Sequence, residues 1–336
     1  MLDVNFLYSR TVHEVMRDID AANIFPGNGT RILLADGQPA GAITLDVSEG
    51  FSRYRALTAR FDKRLSKRYQ FTASYALSRF ETTLPDGLGL GGGTLVNRKV
   101  RANFGPGALD RTHRLTVNAI VELPPGFRAS MISSWMGGLP STITVGSADL
   151  NGDGINGDML PGTRRGSLGR DVTSAAHLNA LIQNYNQTAG GKPLPRGGRA
   201  PFVLEVPDSI RFGDSFISQD LQASKIFRVT ERFKIEATAQ VFNLFNVSNV
   251  VGPAGLPSSA FNGTLTTVAS TSTGSPSGFT LGADGSLRNA AGNRALAGVD
   301  RSSGFASFSA TRPAISTGSG APCVPVRIEG ELLGWG

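Results

Sequence analysis

The chain has 336 residues, 42 of them glycine, with 40% hydrophobic residues and a formal charge of +7, a composition that argues against compact α/β cores. No apolar run approaches the ~18 residues of a membrane helix and mean hydropathy is −0.07, so any passage through a membrane has to be made as a closed sheet. The basic residues are strewn singly, with no basic helix and no aromatic–basic block, which argues against a nucleic-acid partner and suits a polar barrel lumen.

The N-terminus, MLDVNFLYSR, lacks the basic region and apolar stretch of a secretory signal. Val4, Phe6 and Tyr8 alternate with Asn5, Leu7 and Ser9 almost from the first residue, so the start is expected to lie inside a longer chain. Residues 54–79 carry the clearest pattern. Leu57, Ala59 and Phe61 alternate with Thr58, Arg60 and Asp62, and after a charged turn Tyr69, Phe71, Ala73, Tyr75 and Leu77 alternate with Gln70, Thr72, Ser74, Ala76 and Ser78. A period of two with one apolar and one polar side, in stretches near the ~9–11 residues of a tilted spanning strand, predicts a membrane-type β-hairpin.

A second hairpin is predicted from Arg114–Leu123 and Phe127–Trp135, turned by Pro124-Pro125-Gly126. A third joins Gln219–Phe227 to Phe233–Phe245, whose apolar Phe233, Ile235, Ala237, Ala239 and Val241 oppose Lys234, Glu236, Thr238 and Gln240. A final crossing is placed at Val324–Leu332, weakened by Pro325, which removes a ladder donor. The expected fold is all-β: an antiparallel transmembrane β-barrel segment of about eight strands. Short turns on one side and long loops over residues 82–110, 138–218 and 246–303 on the other match the periplasmic and extracellular ends of outer-membrane barrels. Phe61, Tyr69, Phe71, Phe127, Phe227 and Phe233 gather beside the short turns, as an interfacial girdle requires.

Candidate chemistry is sparse. Asp149, Asn151, Asp153, Asn156 and Asp158 have the oxygen spacing of the first half of an EF-hand loop, with Leu160 where its bidentate glutamate would stand, so a weak extracellular Ca²⁺ loop and a polar Gly/Asn/Asp turn are both open. The GxGxxG at residues 87–92 lacks a following helix, and His13, His113 and His177 lack metal-ligand spacing. Cys323 is the sole cysteine, which excludes an internal disulfide and a cysteine-based zinc site. No enzyme signature is legible.

The run SFISQDLQASKIFRVTERFKIEATAQVFNLFN (215–246) resembles the late barrel strands of TonB-dependent outer-membrane receptors, particularly the Oar-like subgroup. NFLYSR, SRYRALTARFDKRLSKRYQFTASYALSRF and DRTHRLTVNAIVELP are similar to other strands of that family. The resemblance implies an outer-membrane location and membrane lipid as a partner. It also implies residues 1–336 as the C-terminal portion of a receptor barrel whose plug and TonB contact lie outside them. The implied function is uptake of an unknown small solute, with Arg60, Gln70, Lys234, Glu236 and Gln240 facing the lumen. The alternatives are a small self-closed structural or adhesive barrel, or a receptor fragment without function. The end, VPVRIEGELLGWG, departs from the terminal aromatic residue of such barrels, since Gly336 follows Trp335.

Overall fold

The computed structural model describes residues 1–19, 33–38, 44–84, 100–146, 148–208, 210, 215–230, 234–247, 263–297 and 326–330. Eight strands form one antiparallel sheet in chain order: β1 (Leu2–Ile19), β2 (Thr44–Ser66), β3 (Tyr69–Thr82), β4 (His113–Leu123), β5 (Phe127–Met136), β6 (Phe216–Arg228), β7 (Lys234–Val241) and β8 (Val326–Gly330). A two-residue strand, Gly105–Pro106, adds to the end of β3. The three predicted hairpins are therefore present, and nearest neighbours in sequence are neighbours in the sheet.

The register follows from burial parity. Leu57 stands opposite Phe6 and Leu77, Ala59 opposite Val4 and Tyr75, and Phe61 opposite Leu2 and Ala73. The same row set continues through Leu115, Val117, Ala119 and Val121 to Trp135, Ser133, Met131 and Ala129, then to Ile217, Gln219, Leu221 and Ala223. A slip of one residue in any strand would send its apolar set to the other face, so an apolar band running across several strands locks every pairing at once.

Turn chemistry sets the short end. Lys67 and Arg68 both adopt positive φ, 51° and 72°, the two-residue geometry whose twist matches flanking antiparallel strands. Lys63 holds this turn by donating to the Ser66 hydroxyl at 2.8 Å. The second turn uses a cis Pro124–Pro125 bond and Gly126 at φ 77°. β1 and β2, at 18 and 23 residues, are much longer than a membrane crossing requires, and their excess projects toward the long-loop end. Irregularities at Val12/Glu14 and Glu14/Met16 bend that extension.

Two expectations need correction. The strand predicted to reach Phe245 ends at Val241: Asn243 and Asn246 adopt φ of 49°, and the Leu244 amide turns back to the Gln219 carbonyl. The long loops are also not simply irregular. The described residues of 139–146, 148–208, 210 and 263–297 build a folded lobe around helix α1 (Ala175–Thr188), which starts at the Ser174 cap where the hydroxyl accepts the His177 amide.

Leu178, Ile182 and Tyr185 form one stripe of α1 and are fully buried among Ile143, Val145, Leu160, Leu168, Val203 and Leu265. Beside it runs a polar stripe. Asn179 clamps the backbone of Val206 from both sides, donating at 2.9 Å and accepting at 2.8 Å. Asn186 does the same to Val203 and also donates to Gly285. Gln183, between them, donates to Glu205 at 2.6 Å. The helix thus orders segment 203–206, whose own ladder, Phe202–Val203 with Thr267–Val268, is only two residues long.

The lobe is fastened to the sheet by arginines. Buried Arg165 donates to the Thr83 carbonyl. Arg170 meets Asp110 through its carboxylate at 2.8 Å and its carbonyl at 2.7 Å, while Asp110 accepts the Phe80 amide of β3. Gly105 is needed at this junction because a Cβ there would lie 2.3 Å from the Arg165 carbonyl. The GxGxxG stretch, Cys323, Pro325 and the last residues after Gly330 lie outside the described residues.

Candidate functional site

Over the rows between the short turns and Leu57, the two faces of the sheet differ chemically. One presents Leu2, Val4, Phe6 and Leu57, exposed at 45–70% among the described residues. Such a run is unstable against water and stable against hydrocarbon. At the short-turn edge this face carries Phe61 and Phe71, whose rings lie 5.5 Å apart, Tyr69 beneath the Lys63 ammonium at 3.7 Å, and Phe127 beneath Lys225 at 4.0 Å. Lys225 also donates to the Pro125 carbonyl. Aromatic rings with lysines reaching over them mark a membrane–water boundary. Phe233 lies outside the described residues.

A second belt was not read from the sequence. Tyr75 bonds His113 at 2.8 Å, and the His113 ring lies 6.1 Å from Trp135. Tyr8, in register with Arg55, continues it on β1. The signal was available: each of these residues has the parity of the apolar rows, with Tyr75 and Trp135 in the row of Ala59, His113 in the row of Leu77 and Tyr8 beside Arg55, where the band gives way to charge.

The opposite face is polar and concave. A hollow of about 570 Å³ lies over Asp3, Asn5, Thr58, Arg60, Ser74 and Thr116, and another of about 730 Å³ over Asp62, Gln70, Thr72 and Asn118. Arg60 pairs with Asp62 through two contacts at 2.8 and 3.1 Å, and Thr72 donates to the same carboxylate at 2.7 Å. Gln70 and Gln240 fall on one row, Gln70–Ile120–Ser130–Gln222–Gln240. Glu236 stands opposite Ile226 and Glu329, and Lys234 opposite Arg228, so both sit lower, near the third turn. Asp3, Asp62, Asn118 and Asp220 share this face; the alternation had already put Asp62 on the polar side with Arg60, without singling it out as a lumen residue.

In the lobe, the Asp149–Asp158 loop is closed by its own carboxylates. Asp149 accepts the Gly152 and Gly154 amides, Asp153 the Ile155 amide and the Asn151 side chain, and Asp158 the Leu150 and Asn151 amides and the Asn151 side chain. Every carboxylate oxygen of the three aspartates thus receives at least one N–H. Asn156 is exposed. No group of three or more His, Cys, Asp or Glu side chains is gathered for a metal ion among the described residues. Burial pushes the Asp158 carboxyl up to about 6, against the pull of the Asn151 and Leu150 amides. Elsewhere on the lobe, hydrogen bonds from Ser286 and the Arg294 guanidinium hold Asp284 down at about 2.

No helix among the described residues is long and apolar enough to cross a membrane. Neither the curated proteins nor the solved structures compared give a match. The family model of an outer membrane beta barrel domain matches residues 1–281. With its apolar band, aromatic edges and polar concave face, the chain belongs to the outer membrane β-barrel domain family and resides in the bacterial outer membrane.

Proposed function

We propose that this barrel wall and its lobe serve TonB-dependent uptake of a scarce solute. The observation that carries the reading is the pairing of a mainly polar face lined with charged and amide side chains with a folded, arginine-anchored lobe at the long-loop end. A wall that only needs to be stable has no use for a lobe with its own core, whereas a receptor needs a rigid surface to select a solute before it enters the lumen. Arg60, Gln70, Lys234, Glu236 and Gln240 line the lumen in this reading. Coupling to TonB runs through a plug supplied outside residues 1–336. The resemblance of residues 215–246 to receptor strands supports the same assignment.

A self-closed structural or adhesive barrel of eight strands would pair β1 with β8. Among the described residues β1 pairs with β2 and β8 with β7 only, which favours the receptor. The test compares cells with and without the gene for uptake of labelled ferric chelates, cobalamin and short oligosaccharides. A protein-dependent flux abolished by a protonophore is expected. A protein-dependent flux indifferent to the protonophore, or none with any probe alongside gene-dependent surface adhesion, overturns the reading.

A further inference from the structure

Directly above the last apolar row, Phe6–Leu57–Leu77, the same outward parity turns cationic. Arg55 pairs with Arg79 and Tyr8, and in the next row Arg53 pairs with Arg10 and Glu81. Like charges directly opposite one another on a sheet destabilise it, and this site has two such pairs. Among the described residues Glu81 sits between them, while Asp171, paired with Arg164 of the lobe, acts on Arg79 from beside the cluster. Glu81, 3% exposed, contacts Arg53 at 2.6 Å, Arg79 at 3.0 Å, Arg55 at 3.2 Å and Arg164 of the lobe at 3.5 Å. It fixes the fork of guanidiniums and leaves it with a clear surplus of positive charge. Arg53, Arg55 and Arg79 keep 37–49% of their side chains exposed.

The height of this cluster is informative. From Tyr69 in the lower girdle to Arg79 is ten residues along β3. At ~3.3 Å per residue and a tilt of ~40°, that is about 25 Å along the membrane normal, the height of an outer-membrane apolar band. The arginines therefore stand at the headgroup level of the outer leaflet, facing away from the lumen. Guanidinium groups match phosphate oxygens in two-bond geometry, and phosphate is the anion that membrane provides at this depth.

We infer that Arg53, Arg55 and Arg79, held by Glu81, with Arg10 in register beside Arg53, form a binding site for the phosphorylated headgroup of an outer-leaflet lipid. The inference is independent of the solute the barrel carries. In the test, the whole protein in mild detergent is titrated with a bisphosphorylated glycolipid (lipid A), with its dephosphorylated form and with phosphatidylcholine. Bound lipid is counted by native mass spectrometry at low and high salt.

Selective, salt-sensitive retention of the phosphorylated lipid is expected, and Arg55→Ala/Arg79→Ala should weaken it on the order of tenfold or more. Arg128→Ala, which removes a charge from the opposite face, should leave it unchanged. Equal binding of the dephosphorylated lipid overturns the inference, and this comparison needs only the unaltered protein. Equal loss in Arg128→Ala would show a nonspecific charge effect, and displacement by millimolar inorganic phosphate would assign the site to a free anion. Either result also overturns it.

Discussion

Replacing Asn186 with alanine should loosen the lobe while leaving the sheet intact. The side chain is 1% exposed and makes three bonds: from its amide nitrogen to the Val203 and Gly285 carbonyls at 2.9 and 3.0 Å, and to its oxygen from the Val203 amide at 2.9 Å. It ties α1 to segment 203–206 and to the turn at Gly285. Each such bond is worth about 0.5–1.5 kcal/mol net, and a buried group left unpaired costs about 1–3 kcal/mol. Water entering the vacated space recovers part of this, so the loss is placed at about 2–5 kcal/mol. Since about 1.4 kcal/mol is tenfold in an equilibrium, the lobe should open roughly 30- to 4,000-fold more often, and proteolysis in the fast-reclosing regime follows that population. The assay is limited proteolysis of the protein in outer membranes, with heat-modifiable migration as the check on the barrel. Gln187→Ala removes one exposed bond, to the Ala283 carbonyl, and should change cleavage little. Equal cleavage of the two variants, or loss of barrel migration in Asn186→Ala, would refute the reasoning.

Other consequences concern the acidic loop and the membrane face. Because burial raises the Asp158 carboxyl to about 6, the folded lobe holds that proton more tightly than the unfolded chain does. Its contribution is full below about pH 4 and is lost as pH rises through about 6, a swing of about 3 kcal/mol. Hydrogen exchange of α1 corrected for intrinsic rates should show it, and Asp158→Asn should flatten the profile. Since the loop carboxylates already accept backbone amides, added calcium is expected to leave protease cleavage near Gly152 unchanged up to millimolar concentrations; protection would restore the cation reading. On β4, Val117→Arg should cost about 2–4 kcal/mol of membrane stability, whereas Thr116→Arg, one residue away on the polar face, should cost much less. Unfolding from bilayers in urea measures both.

The strands were legible because a half-buried strand writes its own period into the sequence. Leu57/Thr58 and Val117/Thr116 can be assigned to faces without knowing any partner, and a common parity then fixes the register. Strand ends were less legible: the apolar residues Val241, Phe242, Leu244 and Phe245 read as a continuation of the strand, but positive φ at Asn243 and Asn246 stops the ladder at Val241. The lobe escaped for a different reason. Its helix turns a polar stripe, half-buried Asn179 and Gln183 with buried Asn186, inward beside the apolar one, so hydrophobic periodicity is diluted although Leu178, Ile182 and Tyr185 keep helical spacing and Ser174 marks the start. Its core joins residues such as Ile143 and Leu265, more than a hundred positions apart, and local patterning carries no trace of such contacts. The outward arginines read as scattered charge until the pairing of β1, β2 and β3 stacked them into two rows.

The central claim is that odd-numbered residues of β4 face lipid and even-numbered ones face the lumen. In a Cys323→Ser background, a nitroxide is placed singly at each position from 115 to 121 in the membrane-embedded protein, and its collisions with oxygen and with a water-soluble nickel chelate are measured. Oxygen access should peak at Leu115, Val117, Ala119 and Val121 and nickel access at Thr116, Asn118 and Ile120. Uniform access along the strand, or alternation in the opposite phase, would contradict the orientation on which the functional reading rests.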